Sequence, residues 1–183
     1  AKWEVSNGGQ TFTFTLHDNV KWHNGQLLTA EDVVFSMERY MNPKVGIGRT
    51  GLFRSYTKPV EDGGVKLIDN KTVQFNLSSA SGAFLKFLAL DYVKVLPKRD
   101  LQELGDIKQA ETIIARKLGS GPFVLNEYKR GNVYRVSKDP NYFKPGRPYF
   151  DSIDHYIIVD TGTLNAQFKA GQLEMMNGGF SNL

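Results

Sequence analysis

Cysteine is absent from the 183 residues. That excludes disulfides, thiol nucleophiles and thiolate metal centres, and leaves the redox compartment unspecified. Histidine is nearly as scarce, with three residues: His17, His23 and His155. No two stand at i, i+4 spacing on a helix, so the commonest metal ligand is present without a ligating pattern. No metal site and no cofactor is expected. An apolar run long enough to cross a bilayer is missing. Lys and Arg total 23 against 19 acids, a net charge of +4. They are scattered among the acids without a basic stripe, so nucleic acid is not an expected partner. A phosphate loop is missing too. Gly119-Ser120-Gly121-Pro122 lacks the Lys-Ser/Thr pair and runs into a strand, which makes it a turn.

What is there describes a folded domain. Hydrophobic residues make up 40% and charged residues 23%, the balance of a soluble globular protein. A chain of this length buries about 70% of its unfolded surface, enough for one domain or two small ones. The most informative stretch is Thr11 to Tyr40. Thr11 to Leu16 alternates Thr with Phe and Leu, the period of a strand with one buried face. Asn24-Gly25 forms a turn, because both residues tolerate positive φ. Thr29 with Asp32 three residues on predicts a capping box opening a helix over Ala30 to Met41. Val33, Val34, Met37, Tyr40 and Met41 recur at helical spacing, and Asn42-Pro43 stops the helix.

Around that stretch, Lys2 to Ser6 pairs with Thr11 to Leu16 through Asn7-Gly8-Gly9-Gln10. Lys44 to Gly64 reads as a glycine-rich loop of little periodicity, functional or mobile in character. Val65 to Asp69 and Thr72 to Leu77 form a second strand pair, and Ser81 to Leu90 a short apolar helix. Tyr92 to Leu96 is extended and ends at Pro97, where composition turns charged and helical. Helices are expected over Lys98 to Leu104 and Ile107 to Leu118, and strands over Phe123 to Tyr128, Val133 to Lys138 and Ile153 to Val159. A helix over Thr161 to Ala170 follows, with a further strand from Leu173 to Met176.

Two blocks carry a resemblance. The first matches at Phe14, Leu16, Val20, Lys21, His23, Gly25, Thr29, Ala30, Glu31, Asp32, Val33, Phe35 and Ser36. The second matches at Gly119, Gly121, Pro122, Tyr128, Gly131, Val136, Pro140, Tyr142, Gly146, Pro148, Asp151, Ile153, Asp160, Ala170 and Gly171. Both are similar to signatures of the family 5 extracellular solute-binding proteins, the oligopeptide, dipeptide and nickel binders of ABC importers. His17, Asn24, Phe143 and Glu174 stand where the family usually has Arg, Asp, Trp and Asp. The likeness covers nearly the whole chain.

The resemblance implies an α/β fold of the α+β type, a fragment of a periplasmic-binding-protein-like lobe with mixed, mainly antiparallel sheets and short flanking helices. It implies residues 1–96 as an extra subdomain of the first lobe and 97–183 as part of its ligand-proximal subdomain. Family members close two lobes on a peptide or related solute by a hinge motion and pass it to a membrane permease, without catalysis. The second lobe, the export signal or lipid anchor, and a periplasmic or cell-surface location would belong to a longer chain. Such a fragment is expected not to bind peptide by itself, and its open strand edges invite association with a neighbouring chain. Alternatives are a stand-alone protein-interaction domain, or an oligosaccharide- or nickel-binding member of the same family.

By likeness, the ligand-contacting candidates are Arg49, Phe53 and Tyr56 in the glycine-rich loop, with Gly119, Ser120 and Gly121 in the turn. Packing within the subdomain is the competing reading for Phe53. No catalytic residue is expected. Glu31 and Asp32 are adjacent on a helix and do not face one another, and acids in a first turn complement the helix dipole. Asp151, Asp154 and Asp160 read as turn and edge residues. Trp3, Trp22, Tyr142 and Phe143 are open to sugar stacking, with core packing the commoner role of aromatics.

Overall fold

In the computed structural model, residues 2–45, 51–90, 93–104 and 110–176 are described. Strands β1 (Lys2–Ser6), β2 (Thr11–Thr15), β3 (Val65–Leu67) and β4 (Thr72–Asn76) form an antiparallel sheet in the order β1-β2-β4-β3. Strand alternation sets its two faces. Phe12 pairs with Phe75 and Phe14 with Val73, one residue out of phase with the polar pairs Thr11–Asn76 and Thr13–Gln74. On the polar face Thr11 Oγ1 donates to Asn76 Oδ1 at 3.2 Å, and Gln74 Nε2 to Thr13 Oγ1 at 3.3 Å.

The apolar face is covered by helix α1 (Ala30–Met41), which lies on β3 and β4 and buries Val33, Met37 and Tyr40. The expected capping box forms, with Asp32 Oδ2 accepting from Thr29 N–H at 3.0 Å. Two short helices close the layer: α2 (Gly51–Tyr56) and α3 (Phe84–Leu88). Phe53, 2% exposed, sits at the centre of an aromatic cluster. Its ring lies 5.9 to 6.4 Å from those of Phe87, Phe84, Phe75 and Tyr40. The stretch 51–56, expected as structureless loop, is therefore a helix that fills the core. Burying one such phenylalanine contributes about 1.5–3 kcal/mol.

After Pro97, helix α4 (Lys98–Leu104) packs on α1. Helix α5 (Ala110–Arg116) lies against β5; the start of the predicted 107–118 helix falls outside the described residues. Strands β5 (Phe123–Lys129), β6 (Val133–Lys138) and β7 (Ser152–Tyr156) form an antiparallel meander, with a register shift between Leu125 and Glu127. One face carries Phe123, Leu125, Val136 and Ile153, all half-buried. The other carries Glu127, Arg135 and Asp154 in one row. Arg135 pairs with Glu127 and, at 2.9 Å, with Asp154. Helix α6 (Thr161–Lys169) follows, capped by Asp160, which accepts from Thr163 N–H at 2.7 Å. The strand expected from Leu173 to Met176 does not form. β7 ends at Tyr156, short of the expected Val159.

Candidate functional site

Three residues of α1 hold the chain that connects the two sheets. Lys94 N–H donates to Tyr40 Oη at 2.8 Å, Leu96 N–H to Ser36 Oγ at 2.8 Å, and Lys98 N–H to Asp32 Oδ1 at 2.8 Å. The Ser36 hydroxyl in turn donates to Asp32 O at 2.6 Å. Asp32, 7% exposed, also takes the Trp22 indole N–H on Oδ2 at 3.3 Å. A buried carboxylate is stable only when its oxygens are met by donors, and here three N–H groups meet them. Glu31, its neighbour, points elsewhere and pairs with Lys98 Nζ at 2.9 Å. The adjacent acids thus have separate structural jobs.

Trp22, 4% exposed, anchors the base of a tight turn. Trp22 N–H donates to Gln26 O and Gly25 N–H to Trp22 O, both at 2.8 Å, with Gly25 at φ 89°. That positive φ is where glycine is needed. The turn carries His23 outward to the loop ahead of β5. His23 N–H donates to Gly119 O at 2.7 Å, and His23 Nε2 lies 2.9 Å from Gly121 O. A carbonyl only accepts, so Nε2 carries the proton. On its far side the loop is tied by Asp139 N–H to Pro122 O at 2.9 Å. The N–H groups of Gly119, Ser120 and Gly121 have no hydrogen-bond partner among the described residues. All three residues are half-buried. The carbonyls of Gly119, Gly121 and Pro122 are thus engaged, while the three donors are left over among the described residues.

The other candidates lie elsewhere. Arg49 is outside the described residues. Phe53 faces the core, out of reach of a ligand in this conformation, and Tyr56 is half-buried with its ring 6.2 Å from Phe87. The histidines are dispersed: His17 lies 5.2 Å from the Phe143 ring and His155 stacks on Tyr134 at 4.2 Å. Among the described residues no group of three or more His, Asp or Glu is placed to hold a metal ion. Trp3 is 55% exposed on the edge strand β1, and Tyr142 and Phe143 are half-buried against each other. A cleft of about 330 Å³ opens between Trp22, Gln26, Thr29 and the start of α4. Asp100 lines it, but its unpartnered Oδ2 has no accessible surface and presents nothing to the cleft.

Comparison with known proteins decides the family. The profile of the bacterial extracellular solute-binding proteins, family 5 Middle, matches residues 1–182. The chain belongs to that family. The dipeptide-binding protein of Escherichia coli K12 is 31% identical over 186 residues, covering 96% of this chain and 35% of the relative. Among solved structures, the periplasmic oligopeptide-binding protein OppAIV of Borrelia burgdorferi superposes with a TM-score of 0.84 at 26% identity, covering 94% of this chain and 36% of that one. AgaA of A. tumefacien R10, solved with agropinic acid, gives 0.82 at 30% identity, covering 94% and 33%. The family 5 chain therefore spans about a third of the length of the relatives it matches. Its mixed α/β architecture with antiparallel sheets is that of these solute-binding proteins. Among the described residues no helix is long and apolar enough to cross a membrane.

The sequence points to Gly119, Ser120 and Gly121 as candidates, and gives His23 only as a motif match and as a histidine without a metal-ligating pattern. Its partner lies about a hundred positions away, and nothing local to either segment signals the contact.

Proposed function

We propose that this chain is the ligand-gathering part of a receptor that captures short peptides outside the cytoplasmic membrane and hands them to an ABC permease. Residues 1–96 serve as the subdomain that enlarges the cleft, and 97–183 as part of the ligand-proximal body. Ligand contacts fall to the Gly119-Ser120-Gly121 loop, with Tyr56 and Arg49 kept as further candidates on the resemblance alone.

The observation that carries the reading is the set of unused donors at Gly119, Ser120 and Gly121. Main-chain N–H groups in a half-buried loop suit a peptide carbonyl or terminal carboxylate, whatever the peptide's side chains. Affinity drawn from the ligand's backbone leaves its sequence free. The dipeptide and oligopeptide binders among the relatives support the same class of solute. The relative crystallised with agropinic acid supports a second reading, a small non-peptide acid, for which the same donors are suited.

The test is calorimetric titration of tri-alanine into the receptor encoded by the full gene, beside the 183-residue chain alone. Saturable binding is expected for the former and none measurable for the latter. Micromolar binding by the short chain would overturn the division of labour. Failure of the full receptor to bind tri-alanine or dialanine would remove the peptide reading.

A further inference from the structure

Gly119 stands in an unusual position relative to His23. A Cβ placed on it would lie 2.5 Å from His23 Cε1 and 2.7 Å from Nδ1. Its φ is not in the left-handed region, so the backbone itself permits alanine there. The requirement for glycine comes from the imidazole alone. The same imidazole donates to Gly121 O, while the main chain at His23 donates to Gly119 O. Ring and backbone of one residue thus grip both ends of a three-residue loop and fill the space against it.

Gripping that loop has a chemical result. The Gly119 carbonyl shares its peptide plane with the Ser120 N–H and points opposite to it, so turning that carbonyl toward His23 aims the Ser120 donor away. The Gly121 carbonyl, held by the ring, fixes the far end of the loop at its bond to Pro122, which carries no N–H. Losing the ring would free the Gly121 end and the space against Gly119, leaving the loop tied only by the main-chain bond at Gly119 O, and its donors would shift with it. A ligand would then have to order the loop on binding, which lowers affinity.

We propose that His23 is the positioning residue that presets the Gly119-Ser120-Gly121 loop for ligand, and that Gly119 is glycine to admit its ring. The proposal rests on the reading of that loop as a ligand contact.

The experiment is a double-mutant cycle in the full receptor, with tri-alanine affinity and thermal midpoint measured on each variant. Losing one hydrogen bond and the loop's order should raise Kd about tenfold in His23→Ala at a temperature well below its midpoint. His23→Gln, which keeps an N–H near the Nε2 position, should stay within about threefold of the parent. Gly119→Ala should also weaken binding about tenfold. In the His23→Ala background the same alanine should cost nothing further, because the ring it would strike is gone.

Additive losses in the double variant would overturn the proposal. So would a lowered thermal midpoint with unchanged Kd in His23→Ala, which is the signature of a merely structural tie. A parent receptor that binds no tri-alanine would defeat the peptide reading and the proposal with it. A parent that binds, with His23→Ala equal to it, would defeat the proposal alone.

Discussion

The two sheets of this chain are assembled on different terms. The four-stranded sheet buries Phe12, Val73, Phe75, Phe53, Phe84 and Phe87 in one cluster under α1, α2 and α3. The three-stranded sheet buries Val133, and its apolar row of Phe123, Leu125, Val136 and Ile153 stays half-covered. Just beyond β7, Val159 is 92% exposed. The first sheet is held by its own apolar surface. The second relies on strand pairing, the Glu127–Arg135–Asp154 row, helix α5 against β5 and the His23 contact, and its apolar face stays half-covered among the described residues.

Truncating side chains is the sharpest way to break that contrast. Phe53→Ala should destabilise the first unit by about 3–5 kcal/mol, since it empties the middle of a packed aromatic cluster. Urea unfolding followed by near-ultraviolet circular dichroism reads the loss. Asp32→Ala comes next: it leaves the N–H groups of Trp22, Thr29 and Lys98 without their acceptor. A cost of about 2–3 kcal/mol follows from losing hydrogen bonds to a buried charge, and Trp22 fluorescence reports it. Val136→Ala should cost only about 1 kcal/mol, because part of that side chain is already in water. A loss as large as that at Phe53 would mean the second sheet has a core of its own, and the contrast would fall.

The smallest expected effect is on acid stability. Hydrogen bonds from Lys129 and then Arg135 hold the Glu127 carboxyl below its ordinary 4.5. A carboxylate depressed in the folded state binds fewer protons there than in the unfolded chain. Its contribution is therefore complete above 4.5 and fades as pH falls from there through the folded value. Glu127 is partly exposed, its side chain 32% open to water, and solvent screens the pairing, so the change is slight. Tyr134 ring resonances followed by NMR between pH 5 and pH 2.5 should show β6 loosening, and Glu127→Gln should flatten that response. An identical acid profile in parent and variant would remove the row from the list of what holds the sheet.

Much of the fold could be read from sequence because its signals are local. Thr29 and Asp32 are three residues apart, the Phe-Thr alternation of β2 is contiguous, and Asn42-Pro43 stops α1 where it stands. Helix α2 escaped because six residues give too little periodicity to show a face, and the surrounding glycines argue for loop. Only the aromatic walls supplied by Phe75, Phe84 and Phe87 make it a helix with Phe53 inside. The strand expected at Leu173 to Met176 rests on three apolar residues around Glu174, and among the described residues no strand pairs with it. The site was half readable in the same sense. The Gly119–Gly121 turn is plain in the sequence, whereas its tie to His23 depends on how two distant segments meet.

The rungs between α1 and the 94–98 segment obey a mismatch of pitch. Four residues of helix advance about 6.0 Å, while two residues of extended chain advance about 6.6 Å. Antiparallel to one another, the two scales differ by about 0.6 Å per step, and the side chains of Asp32, Ser36 and Tyr40, of unlike length, meet the three N–H groups at 2.8 Å each. Pro97, which has no N–H to give, falls between Leu96 and Lys98 on the off-beat, where none is asked for. Shifting that proline by one residue in either direction would strike out a rung, so the proline's place in the chain is set by the helix it never bonds.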